Sequence, residues 1–426
     1  MYDKNMVSQQ PPMGWNSWDC YAATVNEEQL LGNAEYMNKH LKKHGWEYVV
    51  CDIQWSDPLA GTEKTEYRPF AGLAMDGLGR LIPAVERFPS AADGKGFAPI
   101  AEKIHAMGLK FGIHIMRGIP RQAAHGRTPT AGGFTADKIA DPFSICKWNS
   151  DMYGLWGNHP GSQAYYDSIF ALYAEWGVDY IKIDDIANTN IYPHNPYSAR
   201  REIEMIREAM DKCGRPMVLS LSPGPAPIND AWHLTKHANL WRMTDDFWDR
   251  WDLLKDMFRR CELWQAHVGD GCWPDCDMLP LGRIGIGHKN DRMTRFTPDE
   301  QRTMMNLWCI FRSPLMMGGE MRDNDAFTLE LLTNDELIAV NKCENAARQI
   351  MRDNKQAIWY NRFEGGVYLA LFNLSDDVRV VTCDLNEIGM EKAVIHDLWL
   401  KKPLGAMEKV VEIELQAHAS VMLKLV

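Results

Sequence analysis

The chain has 426 residues, of which 46% are hydrophobic and 24% charged, and it carries a net charge of −11. This length fits a barrel of roughly 250–300 residues plus a smaller unit, and the composition suits a sizeable core. The acidic balance and the absence of a Lys/Arg run exclude a general nucleic-acid backbone binder, and no apolar run is long enough to span a membrane.

The opening segment, Met1 to Pro12, is polar and lacks the apolar stretch of a secretory leader. Ten cysteines are scattered along the chain, and the closest pair, Cys272 and Cys276, has no second Cys/His pair to complete a zinc pattern. Buried, reduced thiols are expected, in a soluble cytoplasmic protein unless a leader has been removed.

Gly14–Trp18 ends the first expected strand. A helix over Glu27–His44 follows, with Leu30, Leu31, Ala34, Met37 and Leu41 on one face. The strand Tyr48–Ile53 closes on a carboxylate, and a long loop past Pro89 leads to a helix at Ile100–Met107 and a strand at Lys110–Ile115. A helix at Ala164–Trp176 precedes the strand Tyr180–Asp184, and a helix at Ala199–Lys212 precedes Pro216–Ser222. Leu240–Thr244 is the next strand, Leu253–His267 a helix, Trp273–Leu279 another strand, and Met304–Ser313 the last barrel element.

This alternation, with near-continuous apolar strands, predicts an α/β fold, a (β/α)₈ TIM barrel over 1–330. No Gly-rich dinucleotide fingerprint follows the first strand. From 331 to 426 short alternating runs predict a C-terminal antiparallel β-sandwich domain. The runs are Ala357–Tyr360, Val367–Asn373, Val378–Cys383, Val394–Trp399, Val410–Leu415 and Ser420–Leu425, and without a low-complexity linker the two parts should pack tightly.

Polar residues at the C-terminal ends of barrel strands face the active site. Those ends carry Trp18, Asp52, His114, Lys182, Asp184, Asp185, Ser222, Arg242, Asp245, Asp246, Asp275 and Asp277. Several carboxylates converging on one mouth repel one another, a cost that points to function. Lys182 and Asp184 share a strand face, so the cation would favour an ionised carboxylate; a buried structural ion pair would look the same. Arg242 precedes Asp246 by four residues. Repulsion between Asp245 and Asp246 would raise one pKa toward general-acid duty, whereas an ordinary helix N-cap ahead of Phe247-Trp248 is the alternative.

Together these motifs resemble glycoside hydrolase family 27, the α-galactosidase and α-N-acetylgalactosaminidase family, over most of the chain. The markers are Pro12-Met13-Gly14-Trp15-Asn16-Ser17-Trp18, the strand ending at Asp52, Lys182-x-Asp184, Trp241-Arg242-x-x-x-Asp246 and Trp273-Pro274-Asp275-Cys276-Asp277-Met278-Leu279. The resemblance implies a barrel followed by a β domain, and a retaining exo-glycosidase acting on a terminal galactose-like sugar of an oligosaccharide or glycoconjugate. It makes Asp184 the nucleophile and Asp246 the acid/base. Trp18 would stack on the sugar, Asp52 and Lys182 would hold ring hydroxyls, and Arg242 would reach the 2- and 3-positions. His114 stands where the family usually has Tyr, and Asp185, Asp245, Asp275 and Asp277 would support the site. Neither a metal nor an organic cofactor is expected. Retention requires the two carboxyls about 5–5.5 Å apart.

Three positions depart from the family. Its strand usually ends Asp-Asp, gripping the O4/O6 edge of galactose, but the second residue here is Ile53. Isoleucine would bury a 6-hydroxyl unsatisfied at roughly 1–3 kcal/mol, so L-arabinopyranose, which has galactose stereochemistry and no C6 group, fits better. Alternatively Ile53 only packs. Ser222 stands where galactosidases have Glu and so resembles the N-acetylgalactosaminidase branch, while the following Pro223-Gly224-Pro225 fits neither branch. The Cys after the nucleophile strand is replaced by Asp185-Ile186-Ala187, which removes a disulfide of secreted relatives. Two rival classes use the same carboxylates differently: a metal-dependent barrel hydrolase, for which only His114 offers a strand-end ligand, and a non-catalytic carbohydrate-binding protein.

Overall fold

Eight short parallel strands close into a ring in the computed structural model, which describes residues 3–61, 68, 70–188, 197–222 and 224–426. They are β1 (Met13–Asn16), β2 (Tyr48–Cys51), β3 (Lys110–Met116), β4 (Tyr180–Asp184), β5 (Val218–Ser222), β6 (Leu240–Arg242), β7 (Trp273–Asp275) and β8 (Leu315–Met317). Hydrogen-bonded neighbours run β7-β6-β5-β4-β3-β2-β1-β8. Leu279, just past β7, closes the ring: its N–H donates to Met316 O at 2.8 Å and its carbonyl accepts from Gly318 N–H at 2.9 Å. Gly14 is required here, because a Cβ on it would meet the Tyr48 carbonyl oxygen of the neighbouring strand at 2.4 Å.

Tyr48, Val50, Tyr180, Val218, Leu240, Trp273, Met278 and Met316 pack into one buried cluster inside the ring. The barrel interior is therefore a core rather than a pore. Helices α1 (Glu27–Tyr36), α2 (Ala98–Ala106), α3 (Pro160–Glu175), α4 (Arg200–Lys212), α5 (Ala231–His237), α6 (Trp251–Trp264) and α7 (Pro298–Phe311) accompany the strands. The expected helix Glu27–His44 opens on an Asn26/Gln29 capping box. It runs on through a π turn at Met37–Leu41 and a 3₁₀ turn at Lys42–His44, and it ends at left-handed Gly45.

One expectation is corrected and one alternative removed. Met304–Ser313 is not the last barrel element: it lies mostly in α7, and the last strand is Leu315–Met317. The helix after Asp246 begins only at Trp251 with Arg250 at its N-cap, so Asp245-Asp246 caps no helix. Between β3 and β4 the chain also forms a three-stranded antiparallel patch of Ile119–Pro120, Met152–Leu155 and Ala140–Ile145.

The C-terminal part contains β9 (Arg348–Arg352), β10 (Gln356–Phe363), β11 (Gly366–Asn373), β12 (Arg379–Asp384), β13 (Lys392–Asp397), β14 (Lys402–Glu408), β15 (Val410–Leu415) and β16 (Ser420–Leu425). A six-stranded antiparallel sheet, β9-β10-β11-β16-β13-β14, faces the pair β12-β15 across a buried apolar layer. All six expected runs are strands, joined by β9 and β14. The tight packing is present: Phe258 of α6 meets Phe372 edge-on at 4.8 Å, and Thr303 Oγ1 of α7 donates to His418 O at 2.7 Å. Trp359, Phe372 and Met422 belong to the same buried cluster as the barrel helices.

Candidate active site

The register of the ring brings the expected residues together. His114 lies beside Lys182, and one step further toward the mouth Met116, Asp184 and Ser222 lie side by side. All but Met116 open into a cavity of about 540 Å³. Trp18, Asp52, Ile53, His114, Lys182, Asp184, Ser222, Arg242 and Asp246 all line it, together with Asp185 and Asp245. Asp275 and Asp277 lie just beneath, beside Lys182 and Arg242.

One wall is an ionic chain. His114 Nδ1 is 2.8 Å from Asp52 Oδ1, its Nε2 is 3.4 Å from Asp184 Oδ2, and Lys182 Nζ is 3.6 Å from Asp52 Oδ2. Lys182 thus pairs most closely with Asp52 rather than with Asp184, its neighbour on the strand face. Burial pushes the Asp52 carboxyl up, but His114 and Lys182 outweigh it and hold the group well below its ordinary value. Burial likewise opposes ionisation of Asp184, and the His114 ring, Arg242 and the Asp185 N–H bring its pKa below the usual range. The Asp185 N–H donates to Asp184 Oδ1 at 2.6 Å. Ser222 Oγ is buried without a hydrogen-bond partner, and Asp52 Oδ2 and His114 Nε2 have only their long contacts of 3.6 and 3.4 Å. Such atoms at a cavity wall await a ligand's hydroxyls.

On the opposite wall Arg242 Nη1 is 2.6 Å from Asp246 Oδ1 and 3.6 Å from Asp277 Oδ2. The two carboxylates differ in depth: the Asp246 side chain is 56% exposed and that of Asp184 only 16%. Asp277 has a left-handed backbone and accepts the Phe247 N–H at 2.8 Å, which fixes the turn that carries Asp246. Burial, with the Asp277 charge beside it, pushes the Asp275 carboxyl up to about 7. Asp185 supports the floor: Arg117 bridges it at 2.7 Å to Glu202 of α4 at 2.8 Å, and the Tyr166 hydroxyl donates to Glu202 at 2.6 Å.

Several lining residues escaped the sequence reading. Lys147 and Trp148 come from the loop that joins Ala140–Ile145 to Met152–Leu155 in the antiparallel patch, and Asn188, Gly224, Trp248 and His288 from other loops. His288 stands edge-on to both Trp18 and Trp248, at 5.4 and 5.2 Å, and its Nε2 donates to the Trp18 carbonyl at 3.1 Å. Gly224 leaves room for Asp245, whose Oδ1 would lie 2.1 Å from a Cβ there. Pro223, in the unusual Pro-Gly-Pro stretch, lies outside the described residues. All ten cysteines are free, and Cys276 approaches Cys261, Sγ to Sγ 3.6 Å, rather than Cys272. No helix among the described residues is long and apolar enough to cross a membrane.

The chain matches two family models, "Alpha galactosidase A" over 153–343 and "Alpha galactosidase C-terminal beta sandwich domain" over 353–425. It is 56% identical to a family 27 β-L-arabinopyranosidase from Geobacillus stearothermophilus, covering 99% of this chain and 97% of that one with a TM-score of 0.96. A Bacillus halodurans protein with a provisional α-N-acetylgalactosaminidase assignment is 52% identical, over 97% of each chain, with a TM-score of 0.87. Alpha-galactosidase 3 of Arabidopsis thaliana is 28% identical over 93% of this chain and 77% of its own length. The chain belongs to glycoside hydrolase family 27 and is a retaining glycosidase.

Proposed function

We propose that this enzyme is a β-L-arabinopyranosidase, with Asp184 as nucleophile and Asp246 as acid/base. The observation that carries the sugar assignment is the surroundings of Ile53. It is 3% exposed and packs with Met116, Cys146 and Met152, so the wall beside Asp52 is apolar where the family's second aspartate would meet a 6-hydroxyl. A pentopyranose with galactose stereochemistry leaves that wall in contact with ring carbon alone, whereas a hydroxymethyl group would be desolvated against it. The likeness to the Geobacillus enzyme supports the same reading.

In this mechanism the ionised Asp184 attacks the anomeric carbon as Asp246 gives its proton to the departing glycosidic oxygen. Asp246 then takes a proton from the water that cleaves the glycosyl ester, and Asp184 leaves as carboxylate. The deeper carboxylate suits the buried sugar. The more exposed one suits the rim, where the aglycone leaves and water arrives. Asp52, Lys182 and His114 hold hydroxyls along one edge, Arg242 those on the other, and Trp18 offers an aromatic face.

The test compares kcat/KM on aryl β-L-arabinopyranoside, α-galactoside and α-N-acetylgalactosaminide for wild type and Ile53→Asp. The pentoside should be the best wild-type substrate. Ile53→Asp should shift the preference toward the galactoside by about 5- to 150-fold, the equivalent of roughly 1–3 kcal/mol. An unchanged ratio would defeat the role of Ile53. Ser222, small and unpartnered beside Asp184, favours the acetamido sugar as the second reading, and that substrate outrunning the pentoside would establish it.

A further inference from the structure

Away from the mouth, Glu204 of α4 and His233 and His237 of α5 bring their ligand atoms within 4.8 Å of one another. We propose that these three side chains form a site for a late first-row divalent cation such as Zn²⁺, clasping α4 to α5.

The chemistry is that of two imidazoles and a carboxylate, a donor set suited to such ions. His233 and His237 are four apart on one helix and so share a face, with their ring centroids 4.4 Å apart. His233 Nε2 stands 3.3 Å from Glu204 Oε1. That is long for a charge-assisted hydrogen bond, commonly about 2.7–2.9 Å. It matches the edge of a tetrahedron built on metal bonds of about 2.0–2.1 Å, which is roughly 3.3–3.4 Å.

The other ring nitrogen is already held: His233 Nδ1 lies 2.7 Å from the hydroxyl of buried Tyr197. This contact orients the ring and is compatible with the tautomer that leaves Nε2 to the metal. The Glu204 carboxylate divides its oxygens, Oε2 meeting Arg201 at 2.9 Å while Oε1 faces the histidines. A solvent-open depression bordered by Arg207, Glu208, Lys236 and His237 provides the route in, and a water would complete four-coordination. Lys236 and Arg207 weaken the attraction without occupying the ligand positions.

Titration calorimetry of the chelator-stripped full chain with ZnCl₂ tests the proposal, with Co²⁺ absorption as an independent report of tetrahedral nitrogen and oxygen ligation. One ion per chain is expected. Binding should weaken at least about 100-fold in His237→Ala and Glu204→Gln, both at partly exposed positions, and about tenfold or more in Tyr197→Phe. Glycosidase activity should stay at the wild-type level in His237→Ala. No saturable binding to the wild-type protein, or equal binding by His237→Ala, would overturn the site; the second outcome would place the ion on the mouth carboxylates or thiols.

Discussion

The barrel mouth and the C-terminal sheets handle polar groups in opposite ways. In β12 and β13 buried and exposed residues alternate, with Val381, Cys383, Ala393 and Ile395 inside and Val380, Thr382, Lys392 and Val394 outside. At the mouth ionisable side chains are buried below an exposed rim: Asp52 is 1% exposed, His114 2% and Asp277 4%, whereas the Asp246 side chain is 56% exposed. The sheets bury apolar area and satisfy their backbone, so their residues serve stability. The mouth concentrates like charges around a cavity, a local sacrifice of stability that marks a site prepared for a ligand.

The sharpest way to separate the two regions is to remove one carboxylate. Asp184→Asn should cost on the order of 10⁴-fold or more in kcat while the protein stays folded. Asp246→Asn should cost about 10²–10⁴-fold, and less for aryl glycosides whose phenol needs no proton to leave. An Asp246→Asn loss independent of the leaving group would remove Asp246 from the acid role. A core change in the sheets should do the reverse. Phe372→Ala, fully buried against Phe258, should cost about 3–5 kcal/mol in stability while kcat per folded molecule is preserved. Because barrel and sheets share one apolar cluster, denaturation should remain a single transition; two separate transitions would show the regions to be independent.

The smallest effect tests the stability cost of the mouth directly. Asp275 has a folded pKa of about 7, above its unfolded value of about 3.9, so folding loses stability as pH rises between the two and the penalty is complete above pH 7. Asp275→Asn keeps an acceptor for the Asp277 N–H, 2.8 Å away, and removes the charge. Melting temperature should rise by about 2–4 °C at pH 8 and by less at pH 5. An equal change at both pH values would mean that the Asp275 charge is not the cause.

Much of this division was legible in the sequence, because periodicity reports which face a side chain occupies. Period two placed Lys182 with Asp184 and identified the β domain strands. Register around the ring is a different matter, since nothing local states that Asp52, just past β2, comes within reach of Lys182 on β4; hence the Lys182–Asp52 pairing became visible only in the fold. α7 was misread because it is buried nearly all round, from Glu300 to Phe311, and a helix without a polar face shows no helical period. Trp148, Trp248 and His288 come from irregular segments and carry no periodic signal. The His233-x-x-x-His237 spacing stood in the sequence, but its third member, Glu204, comes from another helix.

The apolar plug beneath the mouth has a kinetic consequence. With Tyr180, Trp273 and Met316 closing the barrel below Lys182, the sugar enters and departs through the same opening. In the two-step reaction the aglycone must vacate the rim before water can reach the glycosyl ester, and whatever occupies the rim next becomes the acceptor. The one doorway that the described residues form therefore imposes an order of departure, and an alcohol waiting there competes with water for the sugar.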